Sequence, residues 1–285
     1  MKDQSVEIKT AKQAIKLTSI GERISEDIEE FITTNQTKRL NNLKEQYKEI
    51  VEERRPSIEQ FKRVKGIGEA TANKLYDLVV HKQKYRTLED LIGARLTATQ
   101  KVGLKWVNEL KKSIPREEMD VINKDIQDRL EPTKCVGILV GSYRRGSKES
   151  GDIDLIIIGC EMEEVLEYLG DMIADTLYGD KPNIKKKRRK YFGVTTSGHQ
   201  IDISIFTIEE YPTALLHATG SGTFNQLMRL RAKELEFKLN EYGLFYRDGS
   251  RVEVRDEYEI FVVLGVKYLE PQERTKNLTN LTILE

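Results

Sequence analysis

The sequence predicts an α+β multidomain protein, and two observations carry the prediction. Up to about residue 115 the apolar residues recur with helical spacing. After Cys135 three apolar runs have the length or the two-residue period of strands, with helical stretches between and after them. The 285 residues, one third of them charged, suffice for a few modules with modest cores.

The first helical unit follows Gly21, with Ile24, Ile28, Phe31 and Ile32 at i, i+4, i+7 and i+8. A second begins at Gly66-Ile67-Gly68, with Ala72, Leu75, Tyr76 and Val79 on one face. "SIGERISEDIEEF" and "GIGEATANKLYDL" form a weak internal repeat in which Ser19 replaces Gly66. A glycine-apolar-glycine turn ahead of a helix lets backbone amides approach a phosphate, since no Cβ intervenes and the helix amino end is electropositive. Two such units in tandem read as helix-hairpin-helix elements.

Val107, Leu110 and Ile114 are expected to close a further helix that Pro115 ends. "CVGILV", "DIDLIII" and "IDISIF" are expected strands, and "MEEVLEYLGDMI" a helix between them. "FNQLMRLRAKELEFKLNEYG" is expected to be helical, followed by a turn at Asp248-Gly249 and a closing helix from Ile260 to Tyr268.

Charge and cysteine usage narrow the function classes. The formal net charge is zero, which argues against polyanion binding through overall charge. Locally, Lys185 to Lys190 are six consecutive basic residues ahead of Tyr191 and Phe192. No run approaches the roughly 18 apolar residues of a membrane span, and no signal-peptide core is present. An intracellular protein without membrane contact is expected, in nucleus, cytoplasm or a viral factory. Cys135 and Cys160 lack a CxxC partner and only three histidines accompany them, so two buried thiols are expected rather than a zinc site or a disulfide.

The chemistry concentrates in "GSYRRGSKESGDIDLIII". On a strand, Asp152 and Asp154 share one face while Ile153, Leu155 and Ile157 enter the core. The same alternation turns Asp202 away from Ile201, Ile203 and Ile205. If the strands are neighbours, three carboxylates converge, and divalent metal makes such a cluster tolerable. Two magnesium ions suit hard oxygen ligands and in-line phosphoryl transfer, with Mn²⁺ able to substitute. Gly141 and Ser142 offer an amide and a hydroxyl to phosphate oxygens, Arg145 a planar cation, and Ser150 and Gly151 a close backbone approach.

"FKRVKGIGEATANKL", "IPREEM", "GSYRRGSKESGDIDLI", "IDISIF", "TGSGTFNQLMR" and "NEYGL" occur in the order and spacing of the X-family (polymerase beta-like) DNA polymerases, which the chain resembles over residues 50 to 270. The resemblance implies a shortened lyase-like module at 1–47, a helix-hairpin-helix DNA-binding subdomain at 48–115, a nucleotidyltransferase-type palm with a mixed sheet at 116–208, and a small α/β nucleotide-selecting subdomain at 209–285. It implies metal ligation by Asp152, Asp154 and Asp202. Nucleotide contacts are implied for Gly141, Ser142, Arg145, Ser150, Gly151, Thr219, Gly220, Ser221 and Asn225. DNA contacts are implied for Gly66, Gly68, Lys190, Tyr191 and Arg229, and a Na⁺ or K⁺ site for the carbonyls of Lys62, Val64 and Ile67. The basic run is then a DNA-backbone contact or a nuclear-import signal.

The departures from the family pattern are informative. The Schiff-base lysine position falls on Asp27, and only 20 residues precede Gly21; a carboxylate forms no imine, so 5′-deoxyribose phosphate lyase activity is expected to be absent. An aromatic pair ahead of Thr219-Gly220-Ser221 is replaced by His217-Ala218, which loosens discrimination against ribonucleotides. An arginine two positions before the third aspartate is Gln200. "TTSG" leaves no room for a template-replacing loop.

The expected function is template-directed filling of short gaps by a monomer that binds gapped or nicked DNA and dNTP. The alternatives are another nucleotidyltransferase acting on RNA or a small molecule, and a non-catalytic DNA-end-binding protein.

Overall fold

A computed structural model describes residues 8–48, 52, 54–80, 83–177 and 189–284 of the chain. They fall into two compact units, 1–94 and 95–285.

The first unit is mainly helical: α1 (Ala11–Ala14), α2 (Glu22–Thr34), α3 (Lys38–Tyr47), α4 (Arg55–Lys62) and α5 (Glu69–Asp77), then a short pair β1 (Val79–Val80) and β2 (Gln83–Lys84). The repeat seen in sequence is a repeat in backbone. Gly21 and Gly68 cap α2 and α5 with nearly equal angles, φ −89° and −90°, and each turn opens on a positive φ, at Ser19 (72°) and Gly66 (88°). The core of the second repeat gathers Ile58, Phe61, Val64, Ile67, Ala72 and Leu75, all buried. In the first repeat Ile24, Phe31 and Ile32 on the predicted apolar face of α2 are exposed, and Ser25 is its buried residue.

The second unit contains α6 (Ala98–Lys105), β3 (Ile114–Pro115), α7 (Arg116–Leu130), β4 (Val136–Leu139), α8 (Gly141–Arg144), β5 (Glu149–Ser150), β6 (Ile153–Ile158), α9 (Met162–Leu169), β7 (Ile173–Thr176), β8 (Lys190–Thr195) and β9 (Gln200–Phe206). It ends with α10 (Tyr211–Thr219), α11 (Gly222–Glu234), β10 (Lys238–Asn240), β11 (Gly243–Phe245) and α12 (Glu257–Val263). The central sheet has the order β4-β6-β9-β8-β7, with β6 and β9 parallel and the other pairs antiparallel. α7 and α9 supply Met119, Ile126, Leu130, Met162, Val165 and Leu169 to its main core. A separate core around Phe224, Met228, Ile260 and Phe261 holds the last segment together.

Several element boundaries differ from the sequence expectation. The helix expected to run to Ile114 stops at Lys105, and Ile114 pairs instead with Ser150. Pro115 precedes a new helix, α7, because a residue with fixed φ and no amide hydrogen is as compatible with a helix start as with a stop. Ile173 begins β7 and Lys238 begins β10; ahead of the latter, the left-handed φ of Glu236 (60°) ends the helical path. The closing helix is α12, which begins earlier, at Glu257, and ends before Gly265 at φ 59°.

The two cysteines correct a further expectation: Cys135 and Cys160 form a disulfide with a Cα–Cα distance of 5.3 Å. Antiparallel pairing of Val136 with Ile158 brings the residues just outside these strand ends together, a proximity their spacing of 25 residues conceals. Cross-linking that loop constrains the unfolded chain by about 3 kcal/mol in the loop-entropy account. Changing both cysteines to alanine should therefore lower the midpoint of urea unfolding, and with it the unfolding free energy, the latter by up to that value. An unchanged midpoint together with alkylatable thiols in the unreduced protein would show that the bridge does not form.

Candidate active site

Strand alternation places the carboxylates. Ile153, Leu155 and Ile157 on β6 and Ile201, Ile203 and Ile205 on β9 are buried, which turns Asp154 and Asp202 to the other face. The parallel register sets Asp154 directly beside Asp202. With Asp152 just ahead of β6, one oxygen of each of the three lies within 4.8 Å of the others. Burial, then Asp152 and Asp202, push the Asp154 carboxyl up to about 7, against the pull of Arg145. Three half-buried anionic oxygens that resist ionising together are a donor set suited to a hard divalent cation. Gln200 Nε2 donates to Asp202 Oδ1 at 2.7 Å and fixes that carboxylate's orientation.

The loop after β4 closes over this face. Gly141 has φ 57°, and a Cβ there would overlap the Asp154 carboxylate, so only glycine lets the loop come this near. Ser142 Oγ donates to Ser150 Oγ at 3.0 Å. Arg145 Nη1 donates to the Thr219 carbonyl at 2.6 Å, and Arg144 Nη1 to Thr219 Oγ1 at 2.6 Å. These bonds tie the loop to the 219–221 turn, where Gly220 has φ 67° and a Cβ would come 3.3 Å from Arg145 Nη1. Gly141, Ser142, Arg145, Gly151, Asp152, Asp154, Gly220, Ser221 and Asn225 line one cleft of about 660 Å³, together with His217 and Lys276. Ser150 and Thr219 are buried behind it and act through Ser142 and the two arginines.

Behind the loop lies a charged network that sequence reasoning missed. Arg144 and Arg274 both donate to Glu257, at 3.0 and 2.5 Å. Arg274 is 0 % exposed, with its guanidinium over the rings of Phe224, Phe261 and Tyr268. Burial acts to raise the Glu257 carboxyl, and the two guanidinia overcome it, leaving the group below the usual carboxylate range. The two arginines are 113 and 17 residues from Glu257, so no local pattern announces them.

Among the expected DNA contacts, Lys190 is exposed and its Nζ lies 3.8 Å from Glu241 Oε1; Arg229 Nη2 lies 3.7 Å from Glu241 Oε2. Tyr191 is a correction. It is 6 % exposed in the core with Ile201 and Ile203, because alternation on β8 turns it inward and leaves Phe192 across from Asp202. Of the basic run, 185–188 lie outside the described residues.

In the first unit, the turn between α4 and α5 presents Gly66 and Gly68. A Cβ at Gly68 would meet nothing within 4 Å, so no internal packing demands glycine there. Val64 and Ile67 are buried, and the Val64 carbonyl accepts from Ile67 N–H at 3.0 Å. The Lys62 ammonium is held by Glu59 at 2.9 Å and Glu69 at 2.8 Å. Asp27 on α2 pairs with Arg39 at 3.4 Å.

A carboxylate triad under a glycine-serine loop on this mixed sheet is a nucleotidyltransferase-type palm. Three family models match in sequence order: the fingers domain of DNA polymerase lambda over residues 59–111, the DNA polymerase beta palm over 113–206 and the DNA polymerase beta thumb over 214–275. The chain belongs to the X family of DNA polymerases, and this membership implies use of divalent metal. It is 28 % identical to DNA polymerase lambda of Arabidopsis thaliana, over 94 % of this chain and 54 % of that protein. Identity to DNA polymerase lambda of Rattus norvegicus is also 28 %, over 94 % of this chain and 49 % of that protein. The chain thus spans about half the length of these curated relatives. No helix among the described residues is long and apolar enough to cross a membrane.

Proposed function

We propose that this protein is a template-directed DNA polymerase that fills short gaps during repair, and that it acts on gapped or nicked DNA with dNTP. The observation that carries the reading is the Asp154–Asp202 register, which joins three carboxylates beneath a phosphate-sized loop. Asp152, Asp154 and Asp202 would hold two Mg²⁺ ions, which supply Lewis acidity to the reacting phosphate and its attacking oxygen. Ser142 and the backbone near Gly141 and Gly151 receive phosphate oxygens. Arg145 uses one of its five N–H groups on Thr219 and keeps the others for the triphosphate. The primer 3′ oxygen bonds to the α-phosphorus as the bond to the β-phosphate oxygen breaks; Asp202 takes the hydroxyl proton and pyrophosphate leaves.

The DNA backbone is held through the amides at Gly66 and Gly68, with Na⁺ or K⁺ at the carbonyls of Lys62, Val64 and Ile67, and through Lys190 and Arg229. Asp27, a carboxylate paired with Arg39, supplies no amine for imine formation, so lyase activity is absent or very weak.

The test is extension on a one-nucleotide gap carrying a 5′-deoxyribose phosphate, with borohydride trapping of the same substrate. Matched dNTP should be added and no protein–DNA adduct trapped. Asp202→Ala should abolish addition while gapped-DNA affinity stays within about threefold, since a metal ligand contributes little to backbone binding. Undiminished addition by the variant would remove Asp202 from the mechanism, and transfer confined to RNA or a small molecule would replace the polymerase reading.

A further inference from the structure

His217, near the carboxyl end of α10, is tied to two residues of the next helix. Asn225 Nδ2 donates to the His217 carbonyl at 2.8 Å and lies 3.4 Å from its ring Nδ1. Arg229 Nη2 lies 3.2 Å from the same Nδ1. Asn225 and Arg229 are four apart on α11 and so share a face. The carbonyl only accepts, which fixes the flip of the Asn225 amide and turns its nitrogen toward His217. Amide nitrogen and guanidinium have only hydrogens to give, so Nδ1 accepts from both and the ring hydrogen resides on Nε2.

We propose that His217 is a positioning residue for nucleotide selection: its neutral ring, unprotonated at Nδ1, holds Asn225 and Arg229 in fixed relation at the edge of the nucleotide cleft. This rests on the polymerase reading above, in which Asn225 touches the incoming nucleotide and Arg229 the template. A cleft that aligns both through one acceptor accepts or rejects the base pair as a unit. An aliphatic or aromatic side chain at 217 would keep the carbonyl bond to Asn225 but remove the acceptor that Asn225 shares with Arg229, so the two would no longer move together.

The charged groups around the ring agree with the neutral form. Burial pushes the imidazole below its ordinary value of 6.5; Glu241 opposes this, and Arg229 and Lys190 add to it. A proton on Nδ1 would face two donors, so acidification should release both contacts.

Two measurements on the full chain test the proposal. The sequence has three histidines, and a nitrogen-15 imidazole spectrum compared with that of His217→Asn assigns the one that matters. At pH 7 its Nδ1 should be unprotonated and Nε2 protonated, with a titration midpoint below 6.5; the opposite tautomer overturns the proposal. On a one-nucleotide gap, His217→Phe should lower the matched-over-mismatched ratio of kcat/KM by about tenfold or more. The wild-type ratio should fall on acidification along the ring's titration. His217→Asn, whose Oδ1 is a non-titrating acceptor, should keep the ratio and flatten that fall. A ratio within twofold of wild type for His217→Phe overturns this role while the polymerase reading stands; absence of any extension by the wild type overturns both.

Discussion

Replacing Asp154 by Asn is expected to abolish nucleotide addition and, in the absence of metal, to stabilise the fold. In the polymerase reading Asp154 would be one of the carboxylates holding the metal, and its loss would remove several kcal/mol of charge stabilisation from the transition state, about a thousandfold or more in rate. The stability effect has the opposite direction because Asp154 is held near 7 by burial and by Asp152 and Asp202. Its folded pKa lies above the unfolded value of 3.8, so between these values the folded state binds more proton than the unfolded state. Stability from this group is therefore full below about pH 4 and is lost as pH rises to about 7, by roughly 4 kcal/mol at most. Asparagine does not titrate. Thermal unfolding in EDTA should give similar Tm values for both proteins at pH 4.5 and a higher Tm for the variant at pH 7.5. Added Mg²⁺ should raise the wild-type Tm at pH 7.5 and leave the variant nearly unmoved. A variant less stable than wild type in EDTA at pH 7.5 would show that the three carboxylates do not repel as their geometry requires.

That triad was legible because strand alternation is local: once "DIDLIII" and "IDISIF" are strands, the faces of Asp152, Asp154 and Asp202 follow. The tandem turns were legible for the same reason, and Ser19 takes the positive φ that Gly66 takes in the second copy. What escaped depends on partners distant in sequence. The disulfide needs β4 beside β6, and Tyr191 needs the register of β8 against Ile203 before its ring can be assigned to the core. Proline at 115 is ambiguous by its chemistry, because a fixed φ both ends helices and starts them. His217 drew notice as a lost aromatic ring, whereas its role as an acceptor appears only when α11 is laid beside α10.

Removing the buried guanidinium of Arg274 should have the largest effect on stability of any change away from the cleft. Its Nη1 meets Glu257 in full burial, its Nε donates to the Leu269 carbonyl at 3.0 Å, and three aromatic rings surround it. Breaking one side of a buried pair leaves the other charge undercompensated, at a cost of about 3–5 kcal/mol, and alanine adds a cavity. Arg274→Ala should lower the urea midpoint, with a loss of unfolding free energy of that amount. Arg274→Met keeps volume and should recover the cavity part alone. Arg274→Met combined with Glu257→Gln removes the fully buried pair and should be more stable than Arg274→Ala, because the charge left without its carboxylate is then that of Arg144, which is partly exposed and still donates to Thr219. The effect should reach the cleft, because Glu257 also holds Arg144, and Arg144 holds Thr219 at the turn that bears Gly220 and Ser221. In Arg274→Met, KM for dNTP should rise several-fold while gapped-DNA affinity is kept. A urea midpoint unchanged in Arg274→Ala would mean that Arg144 alone satisfies Glu257, and the network would then have no part in fixing the loop.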